Sequence, residues 1–170
     1  MKQLILGGVR SGKSRLAEQH AIATRLPVVY IATAQAQDAE MQARIQHHQT
    51  NRPQHWTVLE EPLALAQALQ AQAMDGRCVL VDCLTLWLTN LLCLQNETRM
   101  HQETEAILEI LPALPGEIIL VSNETGMGIV PLGELTRRYC DEAGRLHQAI
   151  AARCESVILT VAGLPLTLKG

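Results

Sequence analysis

The chain has 170 residues, 48% of them hydrophobic, and a formal net charge of −3 at pH 7. This length and apolar content fit one folded domain with a substantial core and argue against disorder. The acidic balance and the scarcity of aromatic residues (two Trp, two Tyr and no Phe) argue against a nucleic-acid partner, because such a partner usually requires a basic stripe and stacking rings.

The five cysteines are an odd number without a C-x-x-C pair, which favours reduced thiols over a disulfide framework. The amino terminus shows no charged segment followed by an apolar leader, and the apolar stretches are too short or too interrupted to span a bilayer. We therefore expect a cytoplasmic protein without a membrane span.

Apolar runs and helical spacing alternate along the chain. Strands are predicted at 3–6, 28–32, 56–59, 78–82, 117–122, 156–161 and 164–168. Helices are predicted from 13 to about 25 and at 36–51, 62–73, 84–94, 103–111 and 132–154, with a polar link at 95–99 and two glycines in the last helix. Strands separated by helices predict a mostly parallel sheet flanked by helices, in one α/β domain over residues 1–170.

A glycine-rich segment separates the first predicted strand from the first predicted helix. It reads Gly7, Gly8, Val9, Arg10, Ser11, Gly12, Lys13, Ser14, which is the pattern G-x-x-x-x-G-K-S. In such a loop the backbone N–H groups surround phosphate oxygens, Lys reaches the outer phosphates and Ser ligates Mg²⁺. A chance glycine turn is the alternative, but the preceding strand and following helix favour a nucleoside triphosphate site.

An acidic residue ends the fourth predicted strand, where Asp82 follows an apolar run. Phosphate loops commonly work with such a carboxylate, which holds Mg²⁺ directly or through water. An ordinary Asp that caps the next helix is the alternative. The loop favours the first interpretation, and we expect Ser14 and Asp82 to serve Mg²⁺.

The predicted helix at 36–51 has a polar residue on an apolar stripe. At about 100° per residue, Met41, Ile45, His48 and Arg52 share one face, with Arg44 at its edge. Arginines beside an imidazole disfavour the imidazolium and would also bind phosphates. His48 is therefore a candidate phosphate contact or nucleophile on phosphorus, and a partly buried histidine bonded to backbone carbonyls remains the alternative.

These residues together resemble the bifunctional adenosylcobinamide kinase / adenosylcobinamide-phosphate guanylyltransferase family of cobalamin biosynthesis. The resemblance runs from residue 4 to about 150, and its most specific parts are R-I-x-x-H-x-x-x-R-P-x-x-W and N-E-x-G-x-G-I-V-P. The matching segments are 7–14, 30–34, 44–62, 81–92 and 122–131.

The resemblance implies a RecA-like P-loop fold, a homotrimer and two reactions. The family phosphorylates the side-chain hydroxyl of adenosylcobinamide, with ATP or GTP, and then transfers GMP from GTP to adenosylcobinamide phosphate. In the family the second reaction passes through a guanylylated histidine, and the resemblance implies that His48 is that residue here. The implied nucleotide contacts are Gly7 to Ser14, Ala32, Thr33, Ala34, Gln49, Thr50, Asn51, Arg52, Glu60 and Asp82.

Three positions depart from the family pattern or duplicate it. Val9 replaces the alanine most often seen there, at a variable position of the loop. His47 duplicates the histidine of the motif, and Glu61 duplicates Glu60. The histidine and glutamate doublets leave the choice within each pair to be tested.

Two other functions share some of these features. A P-loop small-molecule kinase without the guanylyltransferase step would use the same loop and Asp82. A GTP-binding switch usually carries N-K-x-D, and the segment 123–126 lacks its Lys and Asp.

Glu124, in the loop after the fifth predicted strand, lies where α/β sites occur. A structural turn built on Gly126 and Gly128 is the other interpretation of that loop, so no base for the kinase step is assigned.

Overall fold

The computed structural model describes residues 1–35 and 53–170. Within these ranges it has seven strands: β1 (Lys2–Gly7), β2 (Val28–Ala32), β3 (Thr57–Glu60), β4 (Cys78–Asp82), β5 (Glu117–Asn123), β6 (Ser156–Val161) and β7 (Leu164–Lys169). The described helices are α1 (Lys13–Ala23), α2 (Leu65–Gln72), α3 (Leu84–Cys93), α4 (Glu97–Ile110) and α5 (Glu134–Arg153), and a 3₁₀ turn follows α4 at Leu111–Ala113.

The strands form one sheet in the order β3-β2-β4-β5-β1-β6-β7. Every neighbouring pair is parallel except β6 and β7, which are antiparallel. Because β1 lies between β5 and β6, the segment that follows it leaves from the interior of the sheet. The carboxyl ends of β1, β2, β4 and β5 meet at one edge, where ligands bind in open α/β sheets.

Apolar side chains cover both faces of the sheet, as the near-continuous apolar strands predict. On one face, Ala17 and Ala21 of α1 pack against a cluster that includes Ile5, Tyr30 and Leu80. On the other face, side chains of α2, α3, α4 and α5 form a larger cluster around Leu4 and other strand residues. The sheet is therefore fixed from both sides, and its carboxyl edge is held in place.

The second described helix begins later than its sequence indicates. Residues 62–73 are predicted helical, whereas α2 begins at Leu65. One oxygen of the Glu61 carboxylate accepts hydrogen bonds from the backbone N–H groups of Leu63 and Ala64, at 2.9 and 2.8 Å. This local bonding holds the chain in a turn, so Pro62 precedes the helix instead of opening it.

The polar link predicted at 95–99 is shorter in the structure, because α4 begins at Glu97 and not near residue 103. Asn96 is its N-cap, and the side-chain oxygen accepts a hydrogen bond from the N–H of Arg99 at 2.9 Å. The polar residues that suggested a link form the first turn of a helix with an exposed face.

The last helix is continuous, although two glycines in its sequence suggested an interruption. Gly133 is the N-cap of α5, and Gly144 lies inside the helix with open space where a side chain would be. The helix predicted at 36–51 lies outside the described residues.

All five cysteines are free thiols, and Cys78 and Cys154 are buried among apolar neighbours as expected. Burial raises the pKa of each of these two thiols to about 11, so they stay protonated at neutral pH. None of the described helices has the length and apolar character needed to cross a bilayer.

Candidate functional site

The glycine loop connects the central strand β1 to α1 and packs tightly against the end of β6. A Cβ atom built on Gly7 would lie 2.4 Å from Ser11 Oγ and 2.7 Å from the backbone oxygen of Thr160, closer than real side chains approach. The backbone N–H of Gly163 donates to Ser11 O at 2.8 Å. Gly12 has a φ of 94°, in the left-handed region that favours glycine. The close contacts at Gly7 and the positive φ at Gly12 therefore explain why the loop has glycine at both positions.

Lys13 opens α1, and its side chain turns back over the loop. Its ammonium donates to the carbonyl oxygen of Gly8 at 3.1 Å. Burial lowers the pKa of Lys13, and attraction to the nearby carboxylate of Asp82 opposes that shift. The loop thus combines backbone N–H groups at the start of a helix with a cation, an arrangement that attracts phosphate.

Asp82 ends β4, as predicted, and stands level with Ala32 at the end of β2. The Tyr30 hydroxyl donates to Asp82 Oδ2 at 3.0 Å, which leaves Oδ1 outside that bond. The peptide bond between Asp82 and Cys83 is cis. The carboxylate is therefore oriented from β2, and its charge lies close enough to influence Lys13.

Thr33 ties the ends of β2 and β4 together. Its side chain is fully buried, and its hydroxyl donates to Cys83 O at 2.7 Å while accepting from Cys83 N at 2.9 Å. Its carbonyl oxygen accepts a hydrogen bond from the Asn90 side chain at 2.9 Å. These bonds hold the segment from Ala32 to Ala34 beside Asp82, so this part of the edge has a defined backbone position.

The two glutamates of the doublet have different surroundings. Glu60 is the last residue of β3, level with Ala32, and it is exposed. The Glu61 carboxylate accepts the two backbone hydrogen bonds that precede α2. The backbone N–H of Glu61 donates to Ala32 O at 2.9 Å. Glu61 thus has a structural role, and Glu60 is the member of the pair whose carboxylate faces solvent at the carboxyl edge.

Five of the sequence-predicted site residues lie outside the described part of the chain: His48 and its neighbours Gln49, Thr50, Asn51 and Arg52. The structure brings together the loop, Asp82 and the segment 32–34 at one edge of the sheet, with Glu60 on the outer strand of that edge.

A polar chain that the sequence did not predict lies between α3, β5 and α5. Ser122 Oγ is 2.8 Å from His147 Nε2 and 3.3 Å from Thr85 Oγ1. Thr85 Oγ1 accepts from the N–H of Asn123 at 2.7 Å. The other ring nitrogen of the histidine, Nδ1, faces the Glu124 carboxylate at 3.7 Å.

Burial lowers the pKa of His147, and the neighbouring Glu124 carboxylate opposes the shift. The side chain of His147 is 8% exposed and that of Glu124 is 20% exposed. Burial also raises the pKa of Tyr139, on the same helix, to about 12. A neutral imidazole and a protonated phenol therefore line this region beside the loop.

One signal in the sequence could have indicated that His147 is buried. Ala143, Leu146, His147 and Ile150 recur at helical spacing and are the buried residues of α5. A histidine on an apolar helix face needs a polar partner, but its identity depends on which strand the helix covers. The pairing with Ser122 and Glu124 therefore appears only in the folded chain.

Solved structures with this architecture support the fold assignment. The RadB recombinase matches with a TM-score of 0.54 at 15% identity, covering 93% of this chain and 73% of the recombinase. A Pyrococcus horikoshii protein matches with a TM-score of 0.55 at 12% identity, covering 99% and 86% of the two chains. At these identities the likeness shows the fold alone. Together with the sheet order and the glycine loop, it confirms the predicted RecA-like P-loop fold.

Comparison with known sequences gives closer relatives. The chain is 66% identical over 170 residues to the bifunctional adenosylcobalamin biosynthesis protein CobP of Pseudomonas aeruginosa, covering 100% of this chain and 98% of that protein. It is 38% identical over 182 aligned residues to the bifunctional adenosylcobalamin biosynthesis proteins CobU of Escherichia coli and Salmonella typhimurium, covering 99% of this chain and 100% of each relative.

A sequence model of one family spans nearly the whole chain. It matches residues 3–168, which include the glycine loop, Asp82 and the polar chain around His147. The same family was expected from the motifs, and the full-length relatives agree with it. The chain belongs to the cobinamide kinase / cobinamide phosphate guanyltransferase family.

Proposed function

We propose that this chain phosphorylates adenosylcobinamide and then transfers GMP from GTP to adenosylcobinamide phosphate, releasing pyrophosphate and forming adenosylcobinamide-GDP. The main support is a phosphate loop at the centre of the sheet in a chain whose family, defined by a kinase and a guanyltransferase, matches residues 3–168. One triphosphate site could serve both reactions, since each begins by binding the phosphates of a nucleotide.

In this proposal the nucleotide phosphates bind at the amino terminus of α1. The N–H groups from Gly8 to Ser14 surround the phosphate oxygens, and Lys13 exchanges its bond with Gly8 O for the outer phosphates. The segment 32–34 and Glu60 contact the rest of the nucleotide from the ends of β2 and β3. Residues 49–52 complete the binding site in the family pattern.

Mg²⁺ fits the donors available at this edge. No group of three or more His, Cys, Asp and Glu side chains suited to a metal occurs in the ranges that the structure describes. Mg²⁺ commonly takes only one or two protein oxygens and completes its shell with phosphates and water. The Ser14 hydroxyl and the Asp82 carboxylate are hard oxygen donors of that kind. When bound, Mg²⁺ neutralises charge on the phosphate oxygens during transfer.

The guanylyl transfer proceeds in two displacements in this scheme. A neutral ring nitrogen of His48 attacks the α-phosphorus of GTP, the bond to the α–β bridging oxygen breaks, and pyrophosphate leaves with the electron pair. A phosphate oxygen of adenosylcobinamide phosphate then attacks the same phosphorus and displaces the imidazole. The loop amides and Lys13 stabilise the charge on the transferring group, and the P–N bond divides one difficult displacement into two.

We extend the proposal to the state of the protein in the cell. The whole chain from 1 to 170 would act as one catalytic domain, assembled as a homotrimer in the cytoplasm. Free thiols at all five cysteines are compatible with a reducing compartment. A corrinoid is large relative to this chain, so a cleft shared between subunits would give it more contact surface.

The covalent step is tested with GTP labelled at the α-phosphorus. The wild-type chain should acquire acid-labile label, His48→Ala should acquire none, and the neighbouring variant His47→Ala should remain labelled. Label that persists in His48→Ala and disappears in His47→Ala would reverse the assignment within the doublet. A wild-type chain that phosphorylates adenosylcobinamide but neither acquires label nor forms adenosylcobinamide-GDP would be a kinase without the guanylyltransferase step.

A further inference from the structure

The residue after β5 leaves the sheet beside the start of the phosphate loop. In the sheet, β5 lies between β1, which carries the phosphate loop, and β4, which ends at Asp82. Asn123 is level with Gly7, and the N–H of Glu124 donates to Gly7 O at 3.0 Å. Glu124 therefore follows directly after the residue of β5 that lies beside Gly7, where the phosphate loop starts.

The Glu124 carboxylate is oriented by its surroundings without being enclosed by them. Oε1 accepts a hydrogen bond from the N–H of Gly126, and Oε2 faces His147 Nδ1 at 3.7 Å. The side chain retains 20% exposure. A carboxylate offers about four acceptor positions on its two oxygens, so it can still accept a hydrogen bond from a bound hydroxyl group.

In the polar chain behind this carboxylate, one direction of hydrogen-bond donation is favoured. Because Thr85 Oγ1 accepts from the N–H of Asn123, its own proton is available to Ser122 Oγ. The Ser122 hydroxyl can then donate to His147 Nε2, which leaves the ring proton on Nδ1. The reverse order would point the lone pair of Nδ1 at the carboxylate of Glu124, an unfavourable arrangement.

We propose that Glu124 is the general base of the kinase step and that His147, held by Ser122, is a positioning residue for it. This inference rests on the proposed function, which supplies the reaction and its hydroxyl acceptor. It is compatible with the turn interpretation of the 123–126 loop, because the turn bond to Gly126 and the proposed base role use the same oriented carboxylate.

This step transfers one proton to Glu124 and one phosphoryl group to the acceptor oxygen. The Glu124 carboxylate takes the proton of the acceptor hydroxyl while that oxygen attacks the γ-phosphorus of the nucleotide. The bond between the γ-phosphorus and the β–γ bridging oxygen breaks, and the nucleoside diphosphate leaves with the electron pair. The products are a phosphate monoester and a nucleoside diphosphate, and the proton on Glu124 passes to solvent through its exposed part.

The two reactions differ in their need for such a base. A hydroxyl loses its proton during attack, and general-base help for such a transfer is worth about 10²–10⁴-fold. The acceptor in the guanylyl transfer is a phosphate monoester, which has lost most of its protons near pH 7 because its second pKa is about 6. A change confined to the base should therefore slow the kinase step and spare the transferase step.

The test compares Glu124→Gln with the wild-type chain in separate assays. The amide keeps the shape of the side chain and an acceptor for Gly126 but is not a base. We expect kcat for phosphorylation of adenosylcobinamide to fall about 10²–10⁴-fold with KM within about threefold. Transfer of GMP from GTP to supplied adenosylcobinamide phosphate should stay within about threefold of wild type. Glu124→Asp, which retains a carboxylate, should recover part of the lost kcat.

Positioning by His147 is tested by a double-variant cycle. His147→Gln should lower the kinase kcat without raising KM, and it should have almost no further effect in the Glu124→Gln background, because no base remains to be oriented. Ser122→Ala provides the same comparison if the histidine variant does not fold. Losses that multiply in the double variant would contradict the positioning role.

Three results would overturn the inference. A Glu124→Gln chain that phosphorylates within threefold of wild type does not need this base. Equal losses in both reactions would mean that Glu124 supports the phosphate loop and has no base role. A wild-type chain that transfers GMP but never phosphorylates removes the kinase half of the proposed function, and this inference with it, without any variant being needed.

Discussion

At the scale of single residues, glycines and buried polar groups determine the form of the phosphate loop. Gly7 lies against Ser11 and the backbone of Thr160, with no room for a side chain. Lys13, whose pKa is lowered by burial, bonds to a loop carbonyl oxygen and lies near Asp82. The loop therefore depends on close contact with β6 as much as on its own sequence.

Gly7→Ala is expected to destabilise the chain, because the added methyl group would force the loop away from β6. Overpacking of this kind typically costs about 1–3 kcal/mol in the free energy of unfolding, and nucleotide affinity should fall with it. Denaturant unfolding and nucleotide titration measure the two effects. Gly8→Ala is the matched control for stability, since a Cβ there meets nothing within 4 Å. Equal destabilisation by both substitutions would show that the contact with β6 is unimportant.

The buried His147 should make stability depend on pH. Burial lowers its pKa below the unfolded value, so between these two pKa values the unfolded chain binds more protons than the folded chain. The part of the folding stability that depends on a neutral His147 is therefore fully present above the unfolded pKa, near 6.5. It is lost as pH falls toward the folded pKa.

His147→Gln removes this titration, so the difference in unfolding free energy between wild type and variant should shrink as the pH is lowered from about 7.5 to about 5. Denaturant unfolding at several pH values measures that difference, in which the other titrating groups largely cancel. A difference that stays constant across this range would contradict the assignment of a depressed pKa to this histidine.

At the scale of elements, caps and side-chain bonds to the backbone set the helix boundaries that periodicity alone missed. The hydrogen bonds of Glu61 delay the start of α2 to Leu65. The side chain of Asn96 caps α4 and lets the helix begin at Glu97. In both cases a single polar side chain satisfies backbone N–H groups that an apolar pattern cannot account for.

Asn96→Ala should destabilise α4, because the N–H of Arg99 loses its side-chain acceptor. Loss of an N-cap costs about 0.5–2 kcal/mol, which thermal or denaturant unfolding would detect. Asn96→Asp is the matched control and should retain most of the stability, since Asp caps as well as Asn. A destabilisation of similar size in both variants would assign Asn96 some other role.

At the scale of the whole molecule, the order of the strands brings the parts of the site together. The loop after β1, the carboxylate at the end of β4 and the polar residues at the end of β5 all lie at one edge of the sheet. Helices cover both faces, and this edge is where we propose that the nucleotide binds. Binding there should stabilise the folded chain as a unit.

GTP with Mg²⁺, supplied at one hundred times its dissociation constant, should raise the free energy of unfolding by about 2.7 kcal/mol. The gain arises because the loop has its nucleotide-binding conformation only in the folded chain. Thermal unfolding with and without nucleotide measures the gain. Lys13→Ala should largely abolish the stabilisation at the same nucleotide concentration. A full thermal shift in that variant would place the nucleotide elsewhere.

Local sequence was sufficient for the strands, for the phosphate loop and for the family. Residues 28–32, 78–82 and 156–161 were predicted with the bounds of β2, β4 and β6, because each is an apolar run bounded by polar or turn residues. The loop between β1 and α1 could be recognised because its chemistry requires a fixed order of residues over eight consecutive positions. The roles assigned to the loop residues, to residues 32–34 and 49–52, and to His48, Glu60 and Asp82 remain predictions.

The tertiary structure decided what depends on contacts between distant segments. Ser122 and His147 are 25 residues apart, and only the packing of α5 on the sheet brings Ser122 Oγ to 2.8 Å from Nε2. The different environments of Glu60 and Glu61 likewise depend on where β3 ends beside β2. A linear pattern records which residues alternate along one element, whereas the strand order determines which elements meet, and the polar chain beside the phosphate loop is a product of that order.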